Sequence, residues 1–179
     1  FLMIRRPPRS TRKESSAASD VYKRQVITDE NKLSFLELYG SNLKDYQKDI
    51  YMNEVLKYQD LDNLQIDIEN KLLQLSNIVY PGESESYGDL YGENGILNTM
   101  KKDKNVYSYK KDTLTEYGEY FHKDLIGNYS SKIKSILDII GSSDGITFIY
   151  SNWISSGVIP MVLALEQNGY TKYDGKEVL

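Results

Sequence analysis

Six residues that could contact a nucleic acid follow an apolar run near residue 150: Ser151, Asn152, Trp153, Ser155, Ser156 and Gly157. At the start of a helix, free backbone N–H groups and the positive end of the helix dipole suit a phosphate oxygen, and a serine hydroxyl can add another hydrogen bond. A neighbouring tryptophan can stack on a base or sugar. The alternatives are structural: a serine that only caps the helix, and a tryptophan that only fills a gap in the core.

A second candidate is the segment from Met100 to Lys111, in which lysines are interleaved with Tyr107 and Tyr109. Ammonium groups neutralise phosphates and aromatic rings stack on bases, so this composition suits a single-stranded nucleic acid. Within this segment we assign the contact to Lys110 and Lys111. The structural alternative is a solvated loop rich in lysine.

Two regular elements would position the residues between Ser151 and Gly157. The run from Ile146 to Tyr150 is β-branched and aromatic, which predicts a strand buried on both faces. Apolar residues then recur at helical spacing until Asn168-Gly169, which predicts the end of a helix. Strand, polar turn and helix form half of a βαβ unit, and ligands of α/β sheets bind at the carboxyl ends of strands.

Other patterns predict the surrounding elements. Ser130 or Ser131 is expected to cap a helix that precedes the strand. Upstream, apolar spacing predicts helices over residues 43–51, 61–77 and 112–126, the first capped by Ser41 or Asn42. Residues 82–95 hold four glycines with serines and acidic residues, which predicts an exposed loop.

Several stretches resemble one family. Residues 129–133 fit Tyr-Ser-x-Lys-Ile, residues 148–151 read Phe-Ile-Tyr-Ser, and residues 156–170 contain Ser-Gly-Val-Ile-Pro and Leu-Ala-Leu-Glu-Gln-Asn-Gly-Tyr. Together they resemble the opening of the second RecA-like lobe of superfamily II helicases. The similarity is greatest to the Swi/Snf-like helicases of large nucleocytoplasmic DNA viruses, which are related to poxvirus transcription-associated ATPases. Upstream, Leu-x-x-Tyr-Gln-x-x-x-Tyr from Leu43 and the stretch 76–81 resemble the same family more loosely.

The resemblance implies a fold and a domain organisation. The fold class would be α/β: an incomplete RecA-like lobe, of P-loop NTPase type, preceded by a mainly helical region. Residues 26–128 would belong to the end of the first helicase lobe and the inter-lobe linker, and residues 129–179 to the truncated start of the second lobe. The remainder of the helicase chain would be a partner of this fragment.

The resemblance also implies a function, an ATP-dependent helicase or translocase in viral transcription, with DNA rather than RNA as the expected partner. The host cytoplasm, in a viral factory, or the virion would be its location. ATP and Mg²⁺ would be bound by the full-length parent, because this sequence lacks a P-loop and an Asp-Glu-x-His motif, and all its arginines precede Gln25. We therefore predict no catalytic residue and no ATP hydrolysis by this chain alone.

The first 25 residues differ in composition from the rest. They hold all five arginines and resemble the translation of sequencing-adapter sequence, so we expect an artefactual and disordered segment. A transit peptide or a basic nucleic-acid arm are the alternatives. Of the 22 basic and 26 acidic residues of the chain, seven and two lie here, which leaves a net charge of −9 on the remainder. Nucleic-acid binding would therefore be local.

Composition excludes other classes of site. There is no cysteine, which excludes disulfides and thiolate metal sites. No apolar run reaches the roughly 18 residues of a membrane span, so we expect an intracellular protein without a membrane partner. His122 is expected to face solvent without a metal or catalytic role. Two other function classes stay open: a non-catalytic helical protein-interaction module and a small nucleotide-binding α/β enzyme.

Overall fold

The computed structural model describes residues 39–59, 66–83, 87–173 and 178–179. The segment 1–25, expected to be artefactual, and the first part of the predicted helical region lie outside the described residues. Residues Gly40–Leu179 belong to one compact unit. The predicted division between residues 128 and 129 falls inside that unit.

Helices and one small sheet make up the described part of this unit. The helices are α1 (Asp45–Leu56), α2 (Ile66–Asn77), α3 (Gly92–Thr99), α4 (Lys111–Tyr117), α5 (Ser131–Ser142) and α6 (Ile159–Gln167), and the strands are β1 (Met100–Asp103) and β2 (Val106–Tyr109). The expected mixture of helix and sheet is therefore present. Within the described residues the sheet is a two-stranded antiparallel hairpin.

A buried glutamine joins helices α1, α2 and α5. The side-chain N–H₂ group of Gln47 donates to the backbone carbonyls of Leu75, at 3.0 Å, and Ser76, at 3.2 Å. Its carbonyl oxygen accepts a hydrogen bond of 2.9 Å from the backbone N–H of Ser131. These bonds satisfy the amide inside the core and fix the end of α2 against the start of α5. The predicted cap of α1 by Ser41 or Asn42 is wrong, because Lys44 occupies the cap position and makes no capping bond.

A buried carboxylate also connects α1 to α2. Glu54 is fully buried, and its oxygens accept hydrogen bonds from Lys71 at 2.6 Å, Tyr58 at 2.7 Å and Lys57 at 3.0 Å. Burial alone would raise the pKa of Glu54, but these hydrogen bonds outweigh it and lower the pKa below its ordinary value. The cluster therefore holds the two helices together through an ionised carboxylate.

The prediction of an exposed loop over residues 82–95 is wrong for its second half. Helix α3 begins at Gly92, whose φ of 65° suits a residue without a side chain. Gly95 is buried, and a Cβ atom added to it would lie 2.5 Å from the ring of Tyr80 and 2.8 Å from the backbone of Leu90. Gly92 therefore allows the backbone conformation at the start of α3, and Gly95 allows close packing against Tyr80.

The lysine-rich segment is a hairpin and not a loop. Strands β1 and β2 pair from Met100 opposite Tyr109 to Asp103 opposite Val106, and Lys104 takes a positive φ of 54° in the turn. Met100 and Tyr107 are buried, whereas the intervening lysines are exposed. Lys102 pairs with Tyr107, so it lies on the same face as the buried side chains, and its ammonium group lies 5.7 Å from the centre of the Tyr107 ring.

The helix predicted over residues 112–126 is also wrong in its second half. Helix α4 ends at Tyr117, and the chain turns at Gly118, which has a φ of 67°. The turn buries Tyr120 and Phe121 side by side, with ring centroids 4.5 Å apart. In one continuous helix Leu114 and Phe121, seven residues apart, would lie on the same face. Leu114 is exposed and Phe121 is buried, so a continuous helix does not fit both positions.

Helix α5 agrees with the sequence. Ser130 is its cap, and its hydroxyl oxygen accepts a hydrogen bond of 3.0 Å from the backbone N–H of Ile133. The same hydroxyl donates to the carbonyl of Asn77 at 2.5 Å. Ile133 and Leu137 are buried in the core, as their spacing predicts.

The predicted buried strand over residues 146–150 is wrong. This segment has no strand pairing within the described part of the chain. Ile146 is fully exposed, and Phe148 and Tyr150 are about three-quarters exposed. A strand buried on both faces needs neighbouring strands and a covering layer on each side, and the described residues place neither beside it.

A π-helical turn at Ile154–Val158 leads into α6. In this wide turn the N–H of Val158 bonds to the carbonyl of Trp153, five residues earlier, at 2.9 Å. The turn precedes Pro160, which lacks an N–H for an intrahelical bond. Helix α6 stops at Asn168 and Gly169 as predicted, with a φ of 93° at the glycine. Its buried residues pack against the same core as α5 and the hairpin.

Candidate nucleic-acid contact site

One cavity collects most of the candidate residues. It has a volume of about 300 Å³ and lies between the end of α2, helix α5 and the segment from Ile149 to the π-helical turn. Five of the eight candidates line it, namely Ser151, Asn152, Trp153, Ser156 and Gly157. The turn after the apolar run therefore faces a concave surface.

Ser151 and Trp153 form the tight turn at the mouth of this cavity. The hydroxyl of Ser151 accepts a hydrogen bond from the N–H of Trp153 and also approaches its carbonyl, each at 3.2 Å. Gly157 packs directly against this turn, and a Cβ atom added to it would lie 2.1 Å from the Ser151 hydroxyl. Only glycine leaves room for this contact.

Ser156 has a structural role. It is 1% exposed, and its hydroxyl accepts a hydrogen bond of 2.9 Å from the N–H of Gly92 while donating one of 3.0 Å to the side-chain oxygen of Gln74. Its single hydroxyl proton is therefore used within the protein. The alternative of a helix cap is wrong for Ser155 and Ser156, because Trp153 caps the π-helical turn and Val158 precedes α6.

Asn152 and Tyr150 lie at the exposed edge of the cavity. The hydroxyl of Tyr150 donates to the side-chain oxygen of Asn152 at 2.5 Å. This bond orients the amide and leaves its N–H₂ group as a donor. Both residues line the cavity while remaining exposed to solvent.

Lys132 supplies the charge of the cavity. Its ammonium group donates a hydrogen bond of 2.6 Å to the side-chain oxygen of Asn77, and both residues line the cavity. Burial lowers the pKa of Lys132 below its ordinary value. No aspartate or glutamate is among the described lining residues, so no carboxylate there neutralises the lysine.

The other candidates lie away from the cavity. Ser155 is not part of its lining, and its backbone carbonyl accepts a hydrogen bond of 2.5 Å from Tyr80. Lys110 precedes α4, and its N–H bonds to the carbonyl of Thr99, while Lys111 is exposed at the start of that helix. The structure therefore does not bring these two lysines to the lining formed by the turn.

The tyrosines of the lysine-rich segment are not available for stacking. Tyr107 is 4% exposed and belongs to the core. Tyr109 packs edge to face against Tyr120, and its hydroxyl accepts a hydrogen bond from the N–H of Phe121. Burial raises the pKa of Tyr109 well above its ordinary range. The tyrosines between the lysines therefore pack in the core and do not stack on bases as predicted.

Lys132 and its hydrogen-bond partner Asn77, which both line the cavity, are not among the site residues predicted from the sequence. Lys132 is the lysine of the Tyr-Ser-x-Lys-Ile stretch, so its position in that motif was an available signal. Asn77, at the end of α2, lies in the stretch 76–81 that resembles the family more loosely, but only the packing of α2 against α5 brings it to Lys132. His122 is partly buried and lies 3.3 Å from the carboxylate of Asp124.

The described residues do not fit bound Mg-ATP. Among them no group of three or more histidine, aspartate or glutamate side chains is arranged to hold a metal ion. The cavity offers one lysine and no carboxylate, whereas a nucleotide triphosphate with Mg²⁺ requires both a phosphate cradle and a metal ligand. No step of ATP chemistry is therefore assigned to these residues.

A second cavity, of about 380 Å³, has the opposite charge. Its lining includes Glu83, Asp89, Asp112 and Glu116. Burial, followed by the hydrogen bond to Glu116, raises the pKa of Tyr117 beside them. This concentration of carboxylates repels phosphate, so the first cavity is the candidate for a nucleic acid.

Comparison of the chain with models of protein families, with curated proteins and with solved structures finds no match. In the part of the chain that the structure describes, no helix combines the length and the apolar composition needed to cross a membrane.

Proposed function

We propose that this chain is part of an ATP-driven helicase or translocase of the superfamily II type, acting in viral transcription. In this proposal residues 129–179 begin the second RecA-like lobe and contribute a nucleic-acid contact. ATP and Mg²⁺ are bound by the remainder of the parent enzyme. DNA is the expected substrate, and a viral factory in the host cytoplasm, or the virion, is the expected location.

One observation carries the proposal. The three stretches that resemble the helicase family all contribute residues to the lining of one cavity. Lys132, Ser151 and Gly157 come from different stretches, and all line the same concave surface. The lining holds one lysine and no carboxylate, although the residues after Gln25 carry a net charge of −9. Local positive charge is what phosphate binding requires of an acidic protein.

Each lining group has a defined role in such a contact. The ammonium group of Lys132 pairs with a phosphate oxygen, and the N–H₂ group of Asn152 donates a second hydrogen bond. Phosphate contacts of this kind position a strand without reading its sequence. The chain would thus hold the strand while the parent enzyme supplies the ATP-driven movement.

The experiment is a DNA-binding titration over a range of salt concentrations. We expect the logarithm of the binding constant to fall linearly with the logarithm of the salt concentration, by about 0.7 per neutralised phosphate of a single strand. Asn152→Ala should weaken binding, whereas Asn105→Ala, in the exposed hairpin turn, serves as the matched control. Binding without salt dependence, or equal effects of the two variants, would contradict the proposal.

The flanking coding sequence gives an independent test. The proposal requires a P-loop and an Asp-Glu motif upstream, and a motif rich in glutamine and arginine shortly after Leu179. A continuous reading frame that lacks these motifs on both sides would exclude a motor.

A second candidate function, a protein-interaction module, is favoured by one observation. Ile146, Phe148, Tyr150 and Ile154 are all exposed apolar or aromatic residues within nine positions of one another. Exposed apolar patches frequently mark protein contacts. Sedimentation would then show association through this segment that persists in high salt, and DNA binding would be absent.

A further inference from the structure

The cavity at Lys132 differs from a simple backbone contact, because it combines three kinds of surface. Its inner wall is apolar and includes Ile133, Ile136 and Met161. Its rim is polar, and Trp153 adds an aromatic ring. A phosphate makes neither apolar contacts nor stacking contacts, so an apolar wall and an indole ring indicate a larger ligand.

The size of the cavity limits that ligand. A volume of about 300 Å³ lies at the lower end of the range for small-molecule pockets. A duplex, whose major groove alone is about 12 Å wide, does not fit inside a cavity of this volume. A ligand with one flat ring system and one charged substituent matches the volume of the cavity.

The charge of the cavity defines the substituent. Lys132 can donate three hydrogen bonds, and its one partner, Asn77, is neutral. Within the described residues no carboxylate lies at ion-pair distance from this lysine. Lys132 is exposed at the rim of the cavity, and an ammonium group whose partner there is a neutral amide can pair with an anion. Asn152 offers a further donor at the same rim.

We propose that this cavity binds a single nucleotide unit, with its phosphate at Lys132 and its base against Trp153. This inference rests on the proposed function in one respect, the source of the nucleotide. If the chain is part of a motor, the nucleotide is one unit of a single strand; otherwise it is a free mononucleotide. Stacking on an aromatic ring tolerates every base, so the cavity would accept a strand without sequence preference.

Trp153 is the only tryptophan of the chain, so its fluorescence reports on the cavity alone. Thymidine 5′-monophosphate is titrated first, with thymidine as the probe that lacks a phosphate. We expect the monophosphate to quench Trp153 and thymidine to bind about tenfold more weakly, because one charged hydrogen bond is lost. Equal binding of the two probes would overturn the proposal.

Lys132→Gln should weaken binding of the monophosphate about tenfold for the same reason. The matched control is Lys134→Gln, which removes the same charge from the same helix but affects an exposed ion pair with Asp138. Lys132→Arg keeps the charge and should retain most of the binding, which separates a ligand contact from a folding defect. Equal affinities of the two glutamine variants would overturn the proposal.

A fluorescently labelled oligothymidylate distinguishes this inference from the proposed function, because its anisotropy does not depend on Trp153. If the monophosphate binds and the oligonucleotide does not, the cavity takes a free nucleotide and the translocase contact fails. If the oligonucleotide binds with salt dependence but neither Trp153 fluorescence nor Lys132→Gln responds, the nucleotide site in the cavity is overturned. The chain then still binds a nucleic acid, as the proposed function requires, but through a different surface.

Discussion

The hydroxyl of Ser156 accepts a hydrogen bond of 2.9 Å from the backbone N–H of Gly92, although the two residues are 64 positions apart. Gly92 begins α3, so this bond satisfies one of the N–H groups that a helix leaves without an intrahelical partner. The same hydroxyl donates to Gln74 of α2. One buried serine therefore connects the π-helical turn to two other helices.

Ser156→Ala should destabilise the fold by about 1–3 kcal/mol, because it leaves the buried N–H of Gly92 and the amide oxygen of Gln74 each short of a partner. Urea unfolding of the variant measures this change. Ser155→Ala is the matched control, since the hydrogen bond at Ser155 involves its backbone carbonyl and not its hydroxyl. Equal stabilities of the two variants would show that the Ser156 bonds contribute nothing.

Gly157→Ala should destabilise the fold by about 1–3 kcal/mol through overpacking. The added Cβ would lie 2.1 Å from the hydroxyl of Ser151 and 3.0 Å from its Cβ atom, so rotation of the hydroxyl alone cannot relieve the clash. Ser151→Gly removes both atoms, and in a double-mutant cycle it should recover part of the loss. Additive effects of the two substitutions would contradict this contact.

Local signals in the sequence predicted the elements whose ends are determined by adjacent residues. The Ser130 cap of α5 and the Asn168-Gly169 stop of α6 are confirmed, because a cap or a stop depends on a few neighbouring groups. The predictions failed where distant packing decides. Gly95 is buried against Tyr80, and Gly118 reverses the chain to bury Phe121, neither of which local composition indicates.

The candidate site was predictable in part. The turn at Ser151–Gly157 was identified from residue type, and the structure places most of it around one cavity. The buried role of Ser156 was not predictable, because its partners come from α2 and α3. The charge of Lys110 and Lys111 and their neighbouring tyrosines predict a contact there, and only the fold shows that those tyrosines pack in the core.

Glu54→Gln should destabilise the fold by roughly 1.5–3 kcal/mol at neutral pH. Glutamine keeps one acceptor oxygen but loses the negative charge that pairs with Lys71 and Lys57 in a buried position. The folded-state pKa of Glu54 lies below its ordinary value of 4.5. Its contribution is therefore complete above about pH 4.5 and is lost as the pH falls through the folded-state pKa.

Urea unfolding of the wild type and the Glu54→Gln variant, compared between neutral and acidic pH, measures this effect. The difference between them should shrink as the solution becomes acidic. Asp49→Asn, at an exposed position of the same helix, is the control and should show little difference at any pH. A difference that stays constant into the acid range would mean that the charge of Glu54 does not stabilise the fold.

Ile146→Lys and Phe148→Lys should each leave the free energy of unfolding within about 0.5 kcal/mol of wild type, because both side chains are exposed. If the segment were instead a strand buried on both faces, as its composition predicts, a buried lysine would destabilise the protein severely. If the protein-interaction module is the function, the chain associates through this segment, and the same variants should reduce that association in sedimentation experiments, because they break an exposed apolar patch. Thr147→Lys, at the exposed position between them, adds the same charge without removing a large apolar side chain, so association should persist in that control.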